Sequence, residues 1–147
     1  MIEVADQLTE SAWSQASRLA IAGAGLVGAD VLDRLDTMTA LDLTALSDLG
    51  LSAVQVDDDG IILSINPAAL DLAGVSLADS MGHNFFTELA PCTNNRIFRG
   101  VFVKGVNAGA MNVVFFYAFT YRLSPTEVKV QMYRTAAGNN WILVRRR

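Results

Sequence analysis

Residues 51–64 read Leu51-Ser52-Ala53-Val54-Gln55-Val56-Asp57-Asp58-Asp59-Gly60-Ile61-Ile62-Leu63-Ser64. The alternation up to Val56 has the period of a strand. Asp59-Gly60 then supplies a hairpin turn, and a second apolar run returns. Asn66-Pro67-Ala68-Ala69-Leu70 follows, a turn into short helices that run to about Met81. Gly74 and Gly82 are the expected breakers, because glycine is a poor helix former and a common helix stop. Residues 84–95 form a loop-rich stretch holding Pro91 and Cys92. Residues 96–108 read as a longer helix with Phe98, Val101, Phe102 and Val106 as its apolar positions and Gly109 as its stop. Three strands complete the pattern, over 111–121, 126–136 and 141–146. Ser124-Pro125 joins the first two, and Gly138-Asn139-Asn140 joins the last two. The order β-β-α-α-β-β-β predicts an α+β fold: a five-stranded antiparallel sheet with helices on one face. A ligand in such a domain sits between sheet and helices.

Residues 1–48 read as a helical N-terminal extension before a domain over 49–147. Thr9 or Ser11 could cap a first helix through Arg18. Asp30 could cap a second, with Val31, Leu32, Leu35 and Met38 at helical spacing. Between them, Gly23-Ala24-Gly25-Leu26-Val27-Gly28 matches GxGxxG letter for letter. A dinucleotide site needs a preceding strand and a βαβ series, which this chain does not show. The segment reads instead as an apolar hinge or interface.

Composition narrows the function classes. The 147 residues fit one domain with a modest extra segment. A net charge of −4 argues against nucleic acid, since phosphate binding draws on Lys and Arg. Arg145-Arg146-Arg147 reads as a solvated strand end. One cysteine makes no internal disulfide, and one histidine, His83, with no Cys/His cluster makes a structural metal site a poor reading. The apolar run over 19–29 is too short to span a membrane and follows an acidic segment, unlike a signal peptide. The expected location is cytoplasmic.

Two sets of motifs carry a resemblance. The run from Val56 to Leu63, then Asn66-Pro67-Ala68-Ala69 and Gly74, looks like the opening of a PAS domain. Gly82-His83-Asn84-Phe85-Phe86, Ala90-Pro91-Cys92-Thr93 and Phe119-Thr120-Tyr121-Arg122-Leu123-Ser124-Pro125-Thr126 resemble the photoactive yellow protein family. The likeness covers about residues 49–147. It implies a PAS fold and a blue-light receptor that carries p-coumaric acid as a thioester, with Cys92 at the attachment position. Phe85, Phe119, Tyr121 and Leu123 match positions that wall the family's pocket. The family holds its phenolate with a Tyr, a Glu, a Thr and an Arg. The matching positions here are Ile65, Ala69, Ala73 and Val75. A buried anion without donors is expensive, so this pocket is expected to reject a p-coumarate phenolate and to suit a longer or more apolar ligand.

Taken alone, Cys92 would read as a buried space-filler. In register with the family it reads as the residue that touches the ligand. A reactive thiol needs neighbouring N–H groups or cations, and Arg96 and Arg99 are candidates. The resemblance implies a sensory or regulatory module for a small apolar or aromatic acyl ligand. A hydroxycinnamoyl or other acyl group on Cys92 is the cofactor it suggests. Signalling would pass through the N-terminal helices to a homodimer or partner. The alternative is an enzyme, a cis-trans isomerase. In it Cys92 adds to a conjugated enoyl or polyenoyl group, permits rotation and leaves. A true p-coumarate photoreceptor is the third reading.

Overall fold

The computed structural model describes residues 25–120 and 125–147. Helix α1 is Ala29–Arg34, followed by a 3-10 turn over Leu35–Thr37 and α2 over Ala40–Asp48. Strands β1, Leu51–Val56, and β2, Ile62–Ile65, form the hairpin. Helices α3, Pro67–Ala73, and α4, Leu77–Ser80, come next. A π-helical turn over Phe85–Leu89 and a 3-10 turn over Pro91–Thr93 lead to α5, Arg99–Ala108. Strands β3, Asn112–Phe119, β4, Thr126–Arg134, and β5, Asn140–Arg146, end the chain. The sheet has the order β2-β1-β5-β4-β3, and every neighbouring pair is antiparallel. The expected architecture is therefore present. No helix among the described residues is long and apolar enough to cross a membrane.

The hairpin turn is closed locally. Asp57 N–H donates to the Ile61 carbonyl, and the Asp57 carboxylate accepts from the Asp59 and Ile61 amides, both at 2.9 Å. Gly60 has φ of +93°, and a Cβ there would lie 2.8 Å from Cδ2 of the fully buried Phe86. Gly60→Ala therefore meets both a left-handed backbone and an overpacked ring. A loss of about 2 kcal/mol or more in a urea melt is the expected result.

The sheet is covered on both faces. One face packs with α3, α5 and the π-helical turn around Val54, Val56, Phe86, Phe98, Phe102 and Ile142. The opposite face packs with α1 and α2, through Leu32, Leu35, Leu43 and Leu46 against Leu51, Ala53, Trp141 and Leu143. Strand alternation sends Ser52 and Val54 one way and Leu51 and Ala53 the other. The expected helix from Asp30 is broken in two. Gly28 precedes α1, Asp30 lies in its first turn, and Met38 is extended. Thr39 then opens α2 with a reciprocal capping box to Asp42. Of the GxGxxG stretch, the described part packs rather than binds: Leu26 N–H donates to Gln131 at 2.9 Å, and Leu26 and Val27 lie on the outer cluster. The first expected helix, Gly23 and Ala24 lie outside the described residues, as do Tyr121 and Leu123.

Asp36 clasps the extension to the β4–β5 hairpin. Its carboxylate accepts from Trp141 Nε1 at 3.0 Å. Partial burial raises its pKa, but hydrogen bonds from Thr135, Trp141 and Asn139 outweigh that and leave it below the usual carboxylate value. A depressed folded-state pKa gives stability that is present above the unfolded value and lost as pH falls through the folded one. The outer helices should therefore loosen below about pH 4. Trp141 emission should report the loosening, and Asp36→Asn, which still accepts but does not titrate, should remove that pH dependence. An unchanged acid response in the variant would contradict the clasp.

Candidate functional site

A cavity of about 820 Å³ lies between the inner face of the sheet and α3. Its floor is built from alternate strand residues: Ser52 and Val54 on β1, Val144 and Arg146 on β5, Thr126 on β4 and Phe119 on β3. One wall is α3, with Ala69, Asp71, Leu72 and Ala73. The other is Phe85 and Leu89 of the π-helical turn, with Ala90 and Cys92. The volume falls in the range of small-molecule sites.

Two asparagines shape these walls. Asn66 caps α3, its Oδ1 accepting from Ala69 N–H at 3.1 Å, with Pro67 at the first helical position. Asn84 opens the π-helical turn by accepting from the Phe86 and Thr87 amides. The turn's wide pitch brings Phe85 and Leu89 onto the cavity while Phe86 enters the core. His83 lies outside this site. Its Nδ1 meets Glu88 at 2.8 Å on the surface. Hydrogen bonds from the Asn84 amide and from His83 hold the Glu88 carboxyl below its ordinary pKa.

Cys92 is placed by its backbone. Pro91 starts the 3-10 turn, and the buried Thr93 closes it by donating through Oγ1 to the Ala90 carbonyl at 2.7 Å. The Cys92 carbonyl accepts from the Tyr117 hydroxyl at 2.5 Å and from Asn95 Nδ2 at 3.1 Å. These bonds set Cys92 above β3, with its half-buried side chain on the cavity. Arg99 does not serve the thiol in this arrangement. Its guanidinium donates to Asn94 at 2.9 Å and lies over the Phe86 ring.

Of the residues expected from sequence, Cys92, Ala69, Ala73, Phe85 and Phe119 meet around one cavity. Ile65 and Val75 do not border it. Ile65 is buried in the inner core opposite Val54 on β1, and Val75 packs on the same core after the left-handed Gly74. Ser52, Val144 and Arg146 were not expected. The arginine triplet is not a uniform solvated end: Arg145 donates to the Leu49 carbonyl, and Arg147 lies over Phe116 and meets Glu127. Arg146 points to the cavity rim.

Residues 44–147 match the family model described as the PAS fold. Over 102 residues the chain is 44% identical to photoactive yellow protein of Rhodothalassium salexigens, spanning 69% of this chain and 82% of that protein. It belongs to the photoactive yellow protein family of PAS domains. The family protein of Halochromatium salexigens is 36% identical over 118 residues, spanning 80% of this chain and 92% of its own. Among solved structures, the photoactive yellow protein domain of the sensor histidine kinase Ppr from Rhodospirillum centenum has a TM-score of 0.70 at 34% identity. The match covers 76% of this chain and 96% of that domain. The family match thus spans every element of the sheet and both walls of the cavity.

Proposed function

We propose that this domain binds an extended apolar or aromatic acyl ligand in the cavity beside Cys92 and relays its presence to α1 and α2, the helices that precede the sheet. The cavity carries the reading: its walls are mostly apolar, its volume suits a small ligand, and the chain's one thiol borders it. Ala69 and Ala73 stand where the family places phenolate partners, and Ile65 and Val75 are equally apolar. The ligand is therefore not a p-coumarate held as its phenolate.

The relay uses β1 and β5. Ser52, Val54, Val144 and Arg146 floor the cavity, while Leu51, Ala53, Trp141 and Leu143 on the same strands carry α1 and α2. A ligand that shifts these strands shifts the extension with them. On α2, Leu41 is 82% exposed and offers an apolar contact to a second copy or another protein.

Parinaric acid, a conjugated tetraenoic acid whose emission rises on entering an apolar site, tests the binding. The protein should take up one equivalent. Ala73→Trp, which fills the cavity, should weaken uptake about tenfold or more without altering the thermal melt. No emission gain with the parent chain, or equal uptake by the filled variant, would defeat the reading.

A further inference from the structure

The two edges of the sheet are built differently. β2 is only four residues long, and its pairing with β1 slips at Gln55/Val56. Its outer side is also taken up. Ile62 N–H donates to the His83 carbonyl at 2.9 Å, and Gly82 N–H donates to the Ile62 carbonyl at 3.0 Å. β3, at the opposite edge, has none of this protection. It runs eight residues, Asn112–Phe119, with no charge, no proline and no slip against β4. Native edge strands are normally kept from pairing further by charges, prolines, bulges or shortness. A long, regular, apolar edge is a template for another strand.

The open hydrogen-bonding groups follow from the register. Arg134 N–H donates to the Met111 carbonyl at 2.8 Å, one step beyond the Asn112–Tyr133 pair, so Met111 and Arg134 are a hydrogen-bonded pair. Alternation then commits the odd-numbered residues of β3 to β4. It turns the N–H and C=O groups of Asn112, Val114, Phe116 and Ala118 away from β4. The side chains of these residues point to the outer face, opposite Val113, Phe115 and Tyr117 of the inner core. None belongs to the cluster that α1 and α2 cover, and Phe116 is 47% exposed.

We infer that β3 pairs with the β3 of a second copy, antiparallel about a two-fold axis at Phe115, so that the two sheets become one. In that register Asn112 faces the partner's Ala118, and Val114 faces the partner's Phe116. Every outward N–H and C=O then meets a backbone group. On the inner face Phe115 meets the partner's Phe115, and Val113 meets the partner's Tyr117. Apolar and aromatic pairs across strands stabilise a sheet. The charges agree with a second copy as the occupant. β3 brings none, and those beside it on β4 miss one another. Lys129, opposite Phe116 on its own chain, looks across to the partner's Gln131. Glu127, opposite Ala118, looks across to the partner's Tyr133. Arg147 lies over the Phe116 ring and is balanced by Glu127 of its own chain at 3.4 Å. The interface does not depend on what the cavity holds. It does lie on the strand that supplies Phe119 to the cavity and the Tyr117 hydroxyl to the Cys92 carbonyl.

Sedimentation equilibrium of the full chain over a wide range of concentration, with amide exchange on the same samples, tests the pairing. The parent chain should be a dimer whose Val114 and Phe116 amides exchange slowly. Phe116→Lys and, separately, Ala118→Lys place a charge on exposed positions of the edge. Each should weaken the dimer about tenfold or more and release those amides, with circular dichroism showing an intact fold. Leu41→Lys, on the exposed side of α2, should leave the dimer as it is. A parent chain that stays monomeric overturns the inference, whether its β3 amides exchange freely or are protected by the chain's own residues 1–24. A dimer whose β3 amides exchange freely also overturns it. So does a dimer that both β3 variants keep, and its loss in Leu41→Lys would then move the interface to the helices.

Discussion

Asn66→Ala is expected to remove about 4 kcal/mol of stability, a large share of what holds a domain of this size together. The asparagine is 1% exposed and satisfies four backbone groups from three elements. Its Nδ2 donates to the Leu43 carbonyl of α2 at 3.1 Å and to the Leu51 carbonyl of β1 at 2.9 Å. Its Oδ1 accepts from Ala53 of β1 at 2.9 Å and from Ala69 of α3 at 3.1 Å. Alanine deletes a helix cap, worth about 1 kcal/mol, and strands three further groups in a dry region. Each stranded group costs about 1–3 kcal/mol, less whatever relaxation recovers. Urea melts of the parent and the variant measure the loss. The same change frees α3, which carries Ala69 and Ala73, so uptake of parinaric acid should weaken as well. A loss under about 1 kcal/mol would mean that Asn66 is not the joint between extension, sheet and cavity wall.

The sequence exposes this joint only in part. Asn66-Pro67 announces a helix start, because a capping side chain and a first-turn proline act through local geometry. The Asp59-Gly60 turn and the Gly109 and Gly138 stops are legible for the same reason: each φ is positive where no side chain obstructs it. Facing is a different matter. Alternation identifies the core side of a strand only when the other side meets water, and β1 is buried on both. Ser52 consequently passes as a polar outward residue although it floors the cavity. Arg146 passes as part of a charged tail because its pairing with Val128 and its place beside Val144 depend on strand partners remote in sequence. Register also slips between Gln55 and Val56, and no residue type there signals it. Within the site, the family likeness locates Cys92, Ala69, Ala73, Phe85 and Phe119. It does not reveal that Ile65 turns into the core.

Serine at position 92 is expected to abolish covalent capture of an activated acyl compound while leaving the fold intact. In the capture step the Cys92 sulfur, as thiolate, attacks the acyl carbon of a cinnamoyl imidazolide. The S–C bond forms, the C–N bond breaks, and imidazole leaves with the proton that the thiol gave up. A serine hydroxyl ionises far too weakly near neutral pH to do the same without a base beside it. Among the described residues no histidine supplies one, because His83 is engaged with Glu88 on the surface. The backbone seat of Cys92 rests on Tyr117 and Asn95 through the carbonyl, so the substitution leaves it undisturbed. Intact mass should show one acyl group on the parent chain and none on Cys92→Ser. The noncovalent affinity of the two for parinaric acid should agree within about threefold, less than one lost hydrogen bond would cause. A label retained by the serine chain would place the reactive group elsewhere. A parent chain that binds parinaric acid yet never acylates would leave Cys92 as a wall residue. Cys92-dependent interconversion of E and Z forms without a lasting adduct would instead favour isomerisation, since a thiol that adds to a conjugated carbon and departs again leaves no mass behind.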